Sequence, residues 1–145
     1  MDIYFKKLND LAKVPTRGSK NSAGYDLYAA INEGIHIPPH STVKINTSLA
    51  MDIPVGYFGA VFARSGIATK RGLRPANCVS VIDCDYRGEL LVPIHNDTPY
   101  EKYIDAGERI AQLIILPYQD LDFIEVDELQ KTDRGEDGFG STGEK

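Results

Sequence analysis

The sequence predicts an all-β, jelly-roll-like barrel or sandwich with one short helix and a glycine-rich C-terminal tail. Three observations carry this. The segment Val43–Ile53 alternates apolar and polar residues with the period of a strand. Thirteen glycines and eight prolines, scattered over 145 residues, divide the chain into many short elements. Only one stretch, Ser65–Gly72, is bounded like a helix. The length is that of one domain, enough to bury a sizeable core without disulfide staples. Sixteen Lys and Arg against 21 Asp and Glu give a net charge of −5, which argues against gripping nucleic acid by charge. A local basic pocket for a small anion remains compatible with that sign. No stretch approaches the ~20 apolar residues of a membrane span. The opening MDIYFKKLND lacks the apolar core of a secretory signal.

Taken in order, Ile3–Lys7, Tyr25–Ile31 and Ile35–Ile37 are short strand candidates. In Val43–Ile53, Val43, Ile45, Leu49, Met51 and Ile53 share one parity and Lys44, Asn46, Ser48 and Asp52 the other, predicting one half-buried strand. Tyr57–Ala63 is rich in aromatic and β-branched residues and is expected to be a strand. Ser65 suits an N-cap and Gly72 a C-terminal left-handed position, so about two helical turns follow Arg64. A helix start beside an arginine is a ready anion site. Val79–Ile82 and Leu90–Ile94 are predicted strands, with Asp83–Gly88 as the hairpin between them and Pro93 marking an edge or a strand end. Ile110, Leu113 and Ile114 would also suit a helix, but β-branched content and the stop at Pro117 favour a strand over Arg109–Leu116.

Cys78 and Cys84, six residues apart, are beyond disulfide reach on an extended run, so only a turn between them would allow a bridge, and they are expected as reduced thiols of a cytoplasmic protein. His36, His40 and His95 show no metal-type spacing. From Thr132 the composition changes. TDRGEDGFGSTGEK is too polar and glycine-rich to order unaided, so residues 1–131 are expected to form the domain and 132–145 a flexible tail. Phe139 among glycines, followed by Ser141 and Thr142, suits a loop that wraps phosphates and stacks a ring.

Five segments stand in order: AGYDLYAA (23–30), ARSGIATKRGL (63–73), NCVSVIDCDYRG (77–88), GERIAQLI (107–114) and RGEDGFGSTG (134–143). Together they resemble the trimeric all-β dUTP pyrophosphatases (dUTPases) over nearly the whole chain. The resemblance implies hydrolysis of dUTP to dUMP and diphosphate by in-line attack of water on the α-phosphorus. That activity limits uracil in DNA and supplies dUMP for thymidylate. It implies a Mg2+ cofactor, no nucleic-acid or membrane partner, and a homotrimer with active sites shared between subunits. By resemblance Asp83 is the catalytic base, and Asp26 holds the metal through water. Arg64, Ser65 and the Gly66 N–H bind phosphate, and Gln112 points to the same region. Asn77 joins backbone groups in reading uracil, and Tyr86 packs under the deoxyribose. Phe139 stacks on the base while Arg134, Ser141 and Thr142 engage phosphates; Arg109 is taken as a subunit contact. Asp85, Arg87 and Gly88 are expected to build the turn only.

Two positions depart from the family pattern, which usually has glycine where this chain has Ser80 and Asp137. A side chain at 80 is expected to narrow the pocket or change its backbone, and Asp137 to face outward. Two other classes share features: the dCTP deaminase relatives, which need a cytosine-reading pocket and a glutamate base, and regulators that bind other proteins. Arg64-Ser65-Gly66, Tyr86 and Phe139 fit the dUTPases better than the first, and compact spacing between motifs argues against the second.

Overall fold

The structure is a computed structural model and describes residues 1–136. These residues form strands β1 (Tyr4–Lys7), β2 (Thr16–Arg17), β3 (Tyr25–Tyr28), β4 (Ile35–Ile37), β5 (Thr42–Asn46), β6 (Leu49–Asp52) and β7 (Tyr57–Phe62). Helix α1 (Ser65–Arg71) comes next, then β8 (Leu73–Pro75), β9 (Ser80–Ile82), β10 (Leu91–Asn96), β11 (Lys102–Ile104) and β12 (Arg109–Pro117). The pairings are antiparallel: one sheet runs β2-β3-β12-β7-β9, a second β5-β10-β8, with the pairs β1-β6 and β11-β4 beside them. The all-β class with one short helix is as the sequence predicts. Arg109–Pro117 is the longest strand, and its apolar residues split between partners: Ile110, Ala111 and Leu113 are buried.

One core joins the layers. Leu27, Val61, Ile110 and Leu113 of the large sheet cluster with Ile45, Val92 and Ile94 of the second and with Ile67 of α1. Each fully buried aliphatic side chain contributes about 1.5–3 kcal/mol relative to exposure. The helix begins at Ser65, so the N-cap position belongs to Arg64 (φ −78°, ψ 140°) and no side chain caps it; Ser65 is not the cap. Gly72 ends the helix as expected, in the left-handed region at φ 65°, its N–H bonded to the Ala68 carbonyl.

Three expectations need correction. Val43–Ile53 is two strands in different sheets, broken at Ser48, whose φ is 52°. Thr47 has the parity of the core residues and is itself buried, its hydroxyl donating to the Leu90 carbonyl at 2.6 Å. A corner that keeps the alternation leaves no trace in it. Asp83–Gly88 is not a hairpin within one ladder: β9 pairs with β7, and β10 with β5 and β8, so the turn crosses between sheets. Pro93 sits inside β10, the central strand of three. It lacks only the donor, and its carbonyl accepts the Ala76 N–H at 2.8 Å. The two- and three-residue strands β2, β8 and β11 were too short to show a period.

Candidate active site

Register in the large sheet assembles the first group of candidate residues. Asp26 on β3 faces Gln112 on β12, which faces Phe62 at the end of β7. Asp26 is buried, and two guanidiniums close on it: Arg64 Nε donates to Oδ1 at 2.8 Å and Arg109 Nη1 to Oδ2 at 3.2 Å. Arg64 Nη1 also reaches the Arg109 carbonyl at 3.4 Å. Gln112 Nε2 donates to the Ala63 carbonyl at 2.9 Å, so the side chain lies along the exit of β7. Gly24 makes that possible, because a Cβ there would fall 2.3 Å from Gln112 Oε1. Two cations on one carboxylate leave the cluster net positive, a place for an anion.

The first intrahelical bond of α1 runs from Ala68 N–H to the Arg64 carbonyl, so the N–H groups of 65–67 have no acceptor inside the helix. Ser65 and Gly66 are exposed, and a Cβ on Gly66 would meet nothing within 4 Å. Glycine costs about 1 kcal/mol against alanine within a helix. At Gly66 no packing among the described residues requires it; what it provides there is an uncovered backbone.

The second group lies at the far end of β9. Asp83 follows that strand directly, is exposed, and its carbonyl accepts the Tyr86 N–H at 3.2 Å to close a turn. It lines both an open groove of about 580 Å³, with Phe58, Val81, Cys84, Asp85 and Tyr118, and a recess of about 160 Å³, with Val81, Ile82, Tyr86, Glu89 and Leu91. The Tyr86 hydroxyl donates to the Glu89 carbonyl at 2.9 Å. Its ring occupies the space a Cβ on Gly88 would need, with Oη 2.4 Å away, which explains that glycine. The Glu89 carboxylate accepts the Ser48 N–H at 2.8 Å and Asn46 Nδ2 at 3.0 Å, tying the turn to the β5–β6 corner. Arg87 pairs with Asp52 at 2.5 Å and donates to the Cys84 carbonyl at 2.6 Å, so it builds the turn, as the sequence suggests. The Cys84 thiol, 3.8 Å from the Tyr118 hydroxyl, raises that phenol above its ordinary pKa, and both cysteines are free thiols.

Asn77 stands on the loop entering β9. Arg74 holds that loop: two bonds of 2.8 and 3.0 Å to Asp97 raise the guanidinium's already high pKa, and its Nη1 reaches the Pro75 and Ala76 carbonyls at 3.2 and 3.0 Å. Cys78 takes φ 62° while Val79 N–H closes on the Asn77 carbonyl at 2.7 Å. The Ser80 hydroxyl donates to Asn77 Oδ1 at 2.9 Å. Ser80 is buried and lines neither cavity beside Asp83, so its side chain does not narrow either of them.

One chain does not unite the two groups. Ile82 faces Gly59 on β7 and Asp83 lies beyond it, whereas Arg64 leaves the opposite end of β7 and Asp26 lies two strands farther across. At about 3.3 Å per residue and about 4.8 Å per strand, Asp83 and Asp26 are roughly 20 Å apart. Arg134 is exposed in the turn Thr132–Gly135, and no hydrogen bond or ion pair links its side chain to either group among the described residues. Phe139, Ser141, Thr142 and Asp137 lie outside the described residues. Arg109 is the residue whose place was missed. It is 83 positions from Asp26 in sequence, and no local pattern announces a pairing made only by sheet register.

A family model described as dUTPase matches residues 10–143. The chain belongs to the dUTPase family. A deoxyuridine 5'-triphosphate nucleotidohydrolase of Desulfitobacterium hafniense is 44% identical over 142 residues, covering 97% of this chain and 94% of the relative. A probable deoxyuridine 5'-triphosphate nucleotidohydrolase of Schizosaccharomyces pombe is 43% identical, with 99% of each chain covered. Among solved dUTPases, one of Staphylococcus bacteriophage 80alpha with dUpNHpp superposes with a TM-score of 0.89 at 31% identity over 98% of both chains. A dUTPase of phage phi11 of S. aureus, whose study describes coordination of a structural Mg(II) ion, has a TM-score of 0.80 at 27% identity, covering 88% of this chain and 98% of that one. Among the described residues of the present dUTPase-family chain, no group of three or more His, Cys, Asp or Glu could hold a metal ion. No described helix is long and apolar enough to cross a membrane.

Proposed function

We infer that the chain hydrolyses dUTP to dUMP and diphosphate, at sites composed from more than one copy of itself. The observation that carries the composite site is the separation of Asp83 from the arginine cluster. A base must lie within hydrogen-bond reach, or one water, of the proton it takes. A triphosphate held by Arg64 and the start of α1 on the same chain is out of Asp83's reach. A neighbouring copy closes that gap. Exposed apolar surface supports such an assembly. An open groove of about 480 Å³ is lined by Phe5, Val14, Tyr25, Met51 and Leu113, among others, and Leu121, Phe123, Ile124 and Leu129 beyond β12 are all exposed. The proposed assembly is a homotrimer.

In the proposed mechanism Asp83 orients and deprotonates a water for in-line attack on the α-phosphorus. Arg64, with Ser65 and the Gly66 N–H, takes the charge developing on phosphate oxygens, and Gln112 adds an amide donor nearby. Magnesium carried by the triphosphate would neutralise further phosphate charge. The residues present fit that arrangement rather than a resident metal. Asp26 is surrounded by guanidiniums, yet each oxygen keeps a lone pair for a metal-bound water. Asn77 and its loop read the base, and Tyr86 walls the sugar. Residues 132–145, carrying Arg134, Phe139, Ser141 and Thr142, are proposed as a lid that excludes water from the bound nucleotide. Free thiols at Cys78 and Cys84 suit a reducing, cytoplasmic setting.

Diphosphate release measured across dUTP, dCTP, dTTP, dATP and UTP tests the activity. Release from dUTP far above the others is expected; deamination of dCTP without diphosphate release would overturn the proposal. Tyr86→Ala should also open space beside C2′. The UTP-to-dUTP ratio of kcat/KM should then rise by about tenfold, within the range of pocket-based discrimination. An unchanged ratio would assign the sugar gate to another residue.

A further inference from the structure

We propose that Ser80 is a positioning residue for base selectivity: it locks the Asn77 amide with its oxygen inward and its –NH2 group outward. The inference rests on Asn77 contacting the base, as set out above.

The geometry is specific. Ser80 opens β9 opposite Val61 and is 7% exposed, and Asn77 Oδ1 is the sole acceptor of its hydroxyl among the described residues. Turning the amide over would aim Nδ2 at the serine oxygen and leave the hydroxyl hydrogen without that acceptor in a buried place, which is costly. The backbone around the pair is held by the Arg74 bonds to Pro75 and Ala76 and by the tight turn at Cys78. The backbone that carries the exposed Asn77 side chain is thus fixed, and the Ser80 hydroxyl is what orients its amide.

The chemical consequence follows from the two pyrimidines. Uracil carries a carbonyl at C4, an acceptor; cytosine carries an amino group there, a donor. An outward –NH2 rewards the first and leaves the second facing a donor. An amide free to turn would serve both. Ser80 thus acts on specificity through Asn77, without touching nucleotide.

The test uses the full chain and measures kcat and KM for dUTP and the inhibition constant of dCTP for wild type, Ser80→Ala, Ser80→Thr, Asn77→Ala and the Asn77→Ala/Ser80→Ala double variant. In Ser80→Ala, KM for dUTP should rise about 3- to 10-fold, the span of one lost hydrogen bond, with kcat within about twofold of wild type. The dCTP inhibition constant should not rise with it, so the preference for uracil narrows by a similar factor. Ser80→Thr, which keeps the hydroxyl, should restore the preference. In the Asn77→Ala background, Ser80→Ala should change nothing more. If Ser80→Ala does not fold, Ser80→Gly carries the same comparison. A wild type inactive on dUTP would overturn the functional reading itself. A wild type active on dUTP, with the uracil preference intact in the serine variants or the full Ser80 effect persisting without Asn77, would overturn this role alone.

Discussion

Asp83→Asn is expected to lower kcat for dUTP by at least ~100-fold, the contribution of a positioned general base. Asparagine keeps the shape and loses the proton acceptor. The substitution should leave the fold intact, because Asp83 is exposed and its recorded bond to Tyr86 is made by the main-chain carbonyl. KM for dUTP should change little, since the phosphate, base and sugar contacts belong to other residues. Thermal unfolding and steady-state kinetics on the same preparation separate the two effects. Near-normal turnover in a well-folded Asp83→Asn protein would remove Asp83 from the role of base.

Asp26→Ala is expected to cost both activity and stability. Asp26 is 8% exposed and is the shared acceptor for Arg64 and Arg109. Its removal leaves the two guanidiniums without the carboxylate on which both converge. Breaking a buried ion pair from one side is among the costly single changes, but the Arg109 side chain is 49% exposed and rehydrates readily. A loss of roughly 1–3 kcal/mol is reasonable, or about 3–10 °C in Tm. Arg64 also loses the anchor that aims it, so activity should fall by about 100-fold or more even below the unfolding transition. Asp26→Asn, which keeps one acceptor, should recover part of the stability but not the activity. Differential scanning calorimetry with kinetics at low temperature distinguishes these losses. An Asp26→Ala protein as stable and active as wild type would mean that the two-arginine clamp is incidental.

The residues proposed to carry chemistry sit in short ordered motifs and could be named from the sequence, and the strands at Tyr57–Phe62 and Arg109–Pro117 were legible from their aromatic and β-branched content rather than from alternation. What stayed hidden depends on partners distant in sequence. Thr47 satisfies the alternation of its neighbours while the chain turns a corner at Ser48. Pro93 is tolerated in a central strand because the Ala76 carbonyl, which its missing N–H would face, accepts from Arg74 Nη1 at 3.0 Å instead. Arg109 meets Asp26 only through the pairing of β3 with β12. Ser80 could be marked as unusual from sequence, but its hydrogen bond to Asn77 needs the turn at Cys78 to bring the two side chains together.

The composite site is tested most directly by mixing two inactive proteins. One carries Asp83→Asn and the other Arg64→Ala, and each is expected to be nearly inactive as a homo-oligomer. Co-expression or joint refolding, with differently tagged chains to isolate mixed assemblies, brings an intact Asp83 from one chain beside an intact Arg64 from another. In an isolated mixed trimer of either composition, one of the three sites has both groups intact, so activity of about a third of wild type is expected. Mixed assemblies that form and remain as inactive as their parents would place Asp83 and Arg64 in the same chain's site, contradicting a site shared between subunits.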